Sequence, residues 1–276
     1  SEQEMMDLIL GVAMRDERVR AVTMNGSRTN PNVPRDCFRD YDVVYLVSEM
    51  DSFLQDHSWI DIFGERMILQ TPELMTILPP VGKGHFTYLM QFMDGNRIDL
   101  SFYSLDCLDM LLEDNLTVVL LGKDKRIQNI APNSDAGYMP KEPTEKSFQD
   151  CCNEFWWVSP YVAKGLWRGE MMYAKHTLDT YVRPELYKML VWYFGIRTGF
   201  KKAAGKQGKY LKADLEPEIW MAVEQTYADA NFENTWKSLF VMGKLFRRLA
   251  KYIAKQYGYS YPEADDEKVT AFLWKI

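Results

Sequence analysis

Apolar residues recur at helical spacing over Glu2 to Met14, where Met5, Leu8, Ile9, Val12 and Ala13 mark one face. The period then shortens. Val19 to Met24 is an apolar run of strand length, Tyr41 to Val47 is a second, and a helix is expected after it. Arg66 to Gln70 reads as a short strand. His85 to Met93 and Asn96 to Tyr103 alternate as the arms of a hairpin, with Asp94-Gly95 predicting a type I′ turn between them. A helix over Leu105 to Asn115 is expected to pack back on the sheet. Between Ile130 and Phe148 the chain becomes rich in Pro, Asn, Ser and Gly, and the linker is placed there, dividing residues 1–135 from 136–276. The second part reads as mostly helical: Phe148 to Gly169, Met171 to Thr180, Pro184 to Gly199, Pro217 to Ala228 and Trp236 to Tyr257, with Pro184 and Pro217 near helix starts. The pattern as a whole predicts an α+β chain, a mixed-sheet domain followed by a helical bundle.

Candidate chemistry concentrates in the first part. Asp40 and Asp42 open the strand at Tyr41, and the two-residue period of a strand puts both carboxylates on one face. Upstream, the run Val19 to Met24 ends in Asn25-Gly26-Ser27-Arg28, a turn where backbone N–H groups can approach phosphate without a Cβ in the way. Downstream, Asp99 lies in another alternating segment, Arg97 to Phe102. Each element alone has an ordinary reading: a turn, a solvated strand entry, the flank of a hairpin. Together, in this order and all on strands, they point to nucleotidyl transfer. A nucleoside triphosphate brings negative charge that Mg²⁺ neutralises through hard oxygen ligands, and two ions can stabilise the attacking and leaving oxygens of an in-line displacement. Asp40, Asp42 and Asp99 are the candidate metal ligands and catalytic residues. Gly26 and Ser27 are candidates for the β- and γ-phosphates, with Arg28 assisting. Asp99 is either a second-metal ligand or the general base.

Those residues also carry a resemblance. Gly26-Ser27-Arg28-Thr29-Asn30-Pro31 followed by Phe38-Arg39-Asp40-Tyr41-Asp42 resembles the nucleotide-binding segment of the aminoglycoside 6-adenylyltransferases, within the nucleotidyltransferase superfamily. Further matching stretches are Trp167 to Lys175, Arg183-Pro184-Glu185-Leu186, Gly205-Lys206-Gln207-Gly208-Lys209-Tyr210 and Asp265 to Val269, so the resemblance spans almost the whole chain. It implies a polymerase-β-like first domain and transfer of AMP from ATP to the 6-hydroxyl of the streptidine ring of streptomycin, releasing pyrophosphate. Nearby families with the same aspartates modify other small antibiotics, and a macromolecular hydroxyl is a further alternative acceptor.

Composition narrows the partners. With 47% hydrophobic and 14% aromatic residues, 276 residues can bury a sizeable core, which excludes a disordered chain. The net charge is −6. Through Thr144 there are 23 acids against 13 bases, and from Glu145 onward 16 against 20, so the first part suits metal ions and a cationic aminoglycoside, and the second suits a phosphate clamp. Neither part is basic enough for a nucleic-acid stripe. Lysines on the Gly205 to Tyr210 loop, Lys209 among them, and Lys175 are candidate triphosphate contacts. Trp156, Trp157, Trp167 and Tyr161 are able to wall a sugar or base, although core packing is the expectation for most of them. Glu154 is read as a helix-surface residue. His57, His85 and His176 lack metal-ligand spacing, and Cys37, Cys107, Cys151 and Cys152 are expected as free, buried thiols. No apolar stretch is long enough to span a bilayer and no signal-peptide pattern opens the chain, so a cytoplasmic place is expected; a monomer or weak homodimer is a separate expectation.

Overall fold

A computed structural model describes residues 1–77, 84–124 and 134–276. The chain forms two compact units, Ser1–Gly137 and Tyr138–Ile276. Residues 130–133 of the expected linker lie outside the described residues.

The first unit is α1 (Glu2–Arg15), β1 (Val19–Asn25), β2 (Tyr41–Val47), α2 (Asp51–Leu54), β3 (Arg66–Gln70), β4 (His85–Phe92), β5 (Arg97–Ser104), α3 (Leu108–Leu111) and β6 (Val118–Gly122). The six strands make one sheet in the order β3-β4-β5-β2-β1-β6. Among the described residues, β2 and β5 pair in parallel and the other neighbouring strands pair antiparallel. Strand alternation decides what each face carries. Tyr41, Val43, Tyr45 and Val47 of β2 pack with Met5, Ile9 and Ala13 of α1 in the main core. Val44 and Leu46 face the other way, into a smaller cluster with Ala21 and Leu111. Register is therefore pinned from both sides, because a slip of one residue would exchange the two faces.

Three local expectations change. The hairpin turn is not type I′: Gly95 is left-handed at φ +88° but Asp94 is not. Gly95 N–H donates to Phe92 O at 3.1 Å, Phe92 N–H to Asn96 O at 2.9 Å, and the Asp94 carboxylate accepts from Asn96 N–H. This is the three-residue loop in which a left-handed glycine closes the turn. The helix expected over Leu105 to Asn115 is also cut short. Asp114 takes the Leu116 N–H on its side chain and the Thr117 N–H on its carbonyl, an arrangement that competes with helical bonding. The chain then enters β6, which pairs with β1 and was not anticipated.

The second unit is helical: α4 (Glu145–Trp167), α5 (Met171–Thr177), α6 (Arg183–Thr198), α7 (Leu211–Asp214), α8 (Pro217–Gln225), α9 (Phe232–Tyr257) and α10 (Glu263–Leu273). A reciprocal cap starts α4, with Ser147 N–H on the Thr144 hydroxyl at 3.1 Å and Thr144 N–H on the Ser147 hydroxyl at 3.0 Å. The expected break between Thr180 and Pro184 is instead a π-helical turn, Leu178–Val182, joining α5 to α6. Pro184 has no N–H to return to the preceding turn, and the wider turn absorbs that loss. Helix α10 was not anticipated. It is fixed by Asp266, 1% exposed, which pairs with Arg247 and accepts hydrogen bonds from Tyr261 at 2.7 Å and Thr270 at 3.0 Å. Burial pushes the Asp266 carboxyl up, but its bonds to Arg247, Tyr261 and Thr270 outweigh that and hold it below the ordinary value. Among the described residues, no helix is long and apolar enough to cross a membrane.

Candidate active site

Asp42 is the hinge of the site, because the core contacts of Tyr41 and Val43 on either side turn its carboxylate to the opposite face. The parallel register sets Asp42 directly against Asp99 on β5, and the antiparallel register sets it against Asn25 at the end of β1. Asp40 precedes β2 on the same face as Asp42. One carboxylate oxygen from each of Asp40, Asp42 and Asp99 lies within 4.8 Å of the others.

The turn after β1 completes the arrangement. Gly26, at φ +74°, starts a 3₁₀ turn, Gly26–Arg28, and the Thr29 hydroxyl fastens it by donating to Gly26 O at 2.9 Å. A Cβ on Gly26 would stand 2.0 Å from Asp42 Oδ2 and 2.9 Å from its Cγ, so glycine is required both for the backbone and for the seat of the carboxylate. The Ser27 side chain is half-buried, and its hydroxyl has no partner among the described residues. Asn25 Oδ1 is a buried acceptor without a hydrogen-bond partner among the described residues.

Arg28 is turned towards the loop before β2, and its charge is felt at Asp42. Its guanidinium donates to Asp40 O at 3.0 Å and Arg39 O at 2.7 Å, pairs with Glu2 at 3.1 Å and stacks 3.6 Å over the Tyr41 ring. Nε and Nη2 thereby hold the loop before β2, while Nη1 faces Glu2 of α1. The cation paired directly with the acids is Arg97, to which the sequence pattern assigned no role. Nε and Nη2 of Arg97 donate to the two oxygens of Asp99 at 2.7 and 2.6 Å, and Nε lies 3.8 Å from Asp40 Oδ2. The signal was present: Arg97 is two residues before Asp99 on the same strand, hence on the same face.

Burial, then the neighbouring charges of Asp40 and Asp99, push the Asp42 carboxyl up to about 6. Carboxylates this close favour a cation. The donor set is all hard oxygen with no Cys or His in it, which fits Mg²⁺ rather than Zn²⁺.

The remaining candidates belong to the second unit. Lys175 Nζ donates to Ala228 O at 2.9 Å. Lys209 is exposed, 5.0 Å over the Tyr210 ring, on a loop whose Gly205 and Gly208 are left-handed. The aromatic expectation is corrected: Trp156 is core, but Trp157 and Trp167 are 64% and 71% exposed and Tyr161 is exposed as well. Helix α4 presents one of these residues inward and three outward, and Trp157 and Tyr161 line a groove of about 530 Å³ with Asn153, Asp265 and Lys268. Glu154 is on the surface. The cysteines are free, but Cys37 is exposed and Cys107 half-buried; only Cys151 and Cys152 are buried.

A mixed sheet that brings three aspartates together beside a Gly-Ser turn is the arrangement expected of a nucleotidyltransferase. Comparison with known proteins narrows the class. A family model described as streptomycin adenylyltransferase matches residues 1–276, and the chain belongs to that family. It is similar to the aminoglycoside 6-adenylyltransferase of Bacillus subtilis (strain 168), 41% identical over 268 residues, covering 96% of this chain and 94% of the relative. Similarity to the aminoglycoside 6-adenylyltransferase of Campylobacter jejuni is 42% identity over 274 residues, 99% of this chain and 94% of the relative. A crystal structure of an aminoglycoside 6-adenyltransferase from Bacillus subtilis is 37% identical, covering 100% of this chain and 98% of that one, with a TM-score of 0.49.

Proposed function

We propose that this protein transfers AMP from ATP to the 6-hydroxyl of streptomycin in a Mg²⁺-dependent reaction that inactivates the antibiotic. The observation that carries the reading is the convergence of Asp40, Asp42 and Asp99 within 4.8 Å on one sheet face, next to the Gly26–Ser27 turn. Family membership supports adenylyl transfer, and the names of the relatives support an aminoglycoside acceptor at its 6-position.

In this reading the acceptor oxygen bonds to the α-phosphorus of ATP while the bond from that phosphorus to the bridging oxygen breaks, and pyrophosphate leaves. Asp40 and Asp42 would hold Mg²⁺, which when bound would supply charge neutralisation for the triphosphate. Gly26 leaves its backbone open to phosphate, and Ser27 offers a free hydroxyl donor, together gripping the β- and γ-phosphates. Asp99 takes one of two roles: it accepts the proton of the attacking hydroxyl or serves as a further metal ligand. Lys209, exposed on its glycine-flanked loop, and Lys175 are the second unit's candidates for the triphosphate. A cytoplasmic place and a monomer or weak homodimer complete the proposal.

The test is an acceptor screen. Purified protein with ATP and Mg²⁺ is offered streptomycin, kanamycin, spectinomycin or lincomycin, and pyrophosphate release is followed. Streptomycin alone should support release. Release with lincomycin but not streptomycin would overturn the acceptor while leaving the chemistry; release with none would shift the reading to a macromolecular hydroxyl.

A further inference from the structure

Three carboxylates share a space 4.8 Å across, and among the described residues Arg97 is the only cationic side chain paired with any of them. Both of its donating nitrogens go to Asp99, and the same guanidinium approaches Asp40 to 3.8 Å. Its positive charge therefore lies between the carboxylates of Asp99 and Asp40. The two edges of the cluster differ: Asp42 has no ion pair among the described residues, whereas Asp99 is already gripped at both oxygens. The Arg97 side chain is 44% exposed, so it can leave the cluster without opening the core.

Resting on the metal reading above, we propose that Arg97 is a positioning residue that occupies the place of a cation. It compensates the three carboxylates and aligns Asp99 until a divalent ion arrives, and it competes with that ion for Asp99. The ordinary alternative is a strand-surface ion pair, which contributes about 0–1 kcal/mol and has no bearing on metal affinity. The two accounts separate on measurements that need neither nucleotide nor turnover.

If Arg97 substitutes for an ion, removing it deletes a competitor and leaves more uncompensated charge. Arg97→Ala should then bind Mn²⁺ alone more tightly than the wild type, on the order of tenfold in Kd, read from the free-Mn²⁺ spectrum in a paramagnetic-resonance titration. Its Tm should fall below wild type by a few degrees in EDTA, and saturating Mn²⁺ should close the gap. Arg97→Lys keeps the charge and should restore both readouts towards wild type. An Arg97→Ala protein that binds Mn²⁺ no more tightly than wild type, or a Tm deficit that persists in saturating Mn²⁺, would overturn the proposal while leaving the metal site standing. A wild-type protein that binds no Mn²⁺ would overturn both.

Discussion

Gly26→Ala is the sharpest perturbation available, because it changes one methyl group and touches both the fold and the chemistry. The new Cβ would lie 2.0 Å from Asp42 Oδ2 and 2.9 Å from Asp42 Cγ, on a backbone at φ +74°. The left-handed conformation costs an L-residue about 1–2 kcal/mol. Forcing extra volume against a part-buried group costs about 1–3 kcal/mol more, so the expected loss of stability is about 2–5 kcal/mol. Rotation of Asp42 would relieve the overlap but pull its carboxylate from Asp40 and Asp99, and a displacement of about 1 Å at such a site can cost on the order of 100-fold in rate. The second mutation that isolates the contact is Asp42→Ala. With the carboxylate gone, the closest remaining Asp42 atom is Cβ, 3.4 Å from the ideal Cβ of residue 26, an ordinary contact. In that background Gly26→Ala should cost only the backbone term of about 1–2 kcal/mol, giving a coupling of about 1–3 kcal/mol between the two sites. Urea unfolding of the wild type, both single variants and the double variant measures it, and steady-state kinetics measures the activity of Gly26→Ala. Additive stabilities within about 0.5 kcal/mol, or wild-type turnover in Gly26→Ala, would refute the packing argument.

Other consequences follow from the same geometry. Asp42 titrates at about 6 in the folded protein against a reference of 3.8, so between those values the folded state keeps a proton that the unfolded chain has lost. Stability therefore falls as pH rises through that window, and in a chelator Asp42→Asn should stabilise the protein by about 1–2 kcal/mol at pH 8, a gain that disappears near pH 4; an equal gain at both would count against it. Ser27→Ala should lower kcat, raise KM for ATP, or both, by the equivalent of about 1.5–3 kcal/mol, and unchanged kinetics at every ATP concentration would reduce Ser27 to a turn residue. Asp266→Ala strands Arg247 and the Tyr261 hydroxyl and should destabilise the protein by about 3–5 kcal/mol in urea; a loss below about 1 kcal/mol would show that α10 is held by apolar contacts alone.

Much of the first unit was legible because its strands obey a simple period. Asp40, Asp42 and Asp99 needed only that period and their order along the chain to be singled out. What the sequence could not supply was pairing. That Asp42 meets Asp99 depends on the parallel β2–β5 register, fixed by apolar residues on both faces. Arg28 shows what a motif leaves open: its position beside Gly-Ser suggested phosphate, and only the fold adds the carbonyls of Arg39 and Asp40 and the Tyr41 ring as partners of its guanidinium. Strand β6 was missed because Val118 to Gly122 is a short apolar run without alternation, following a segment that reads as helix. The Asp266 network joins residues up to 110 positions apart through Trp156 Nε1, Tyr261 and Arg247, a relation invisible to any local pattern. The exposure of Trp157 and Trp167 is of the same kind, since which face of α4 is covered depends on helices far along the chain.

The central claim is that these three aspartates support adenylyl transfer to streptomycin. Incubation of streptomycin with ATP, Mg²⁺ and either wild-type protein or the Asp40→Ala and Asp42→Ala variants, followed by mass spectrometry and NMR of the product, tests it most directly. The account predicts one AMP group on the 6-hydroxyl of streptomycin with wild type and no product with either variant. Unmodified streptomycin with wild type, AMP at another hydroxyl, or wild-type yield from both variants would contradict it.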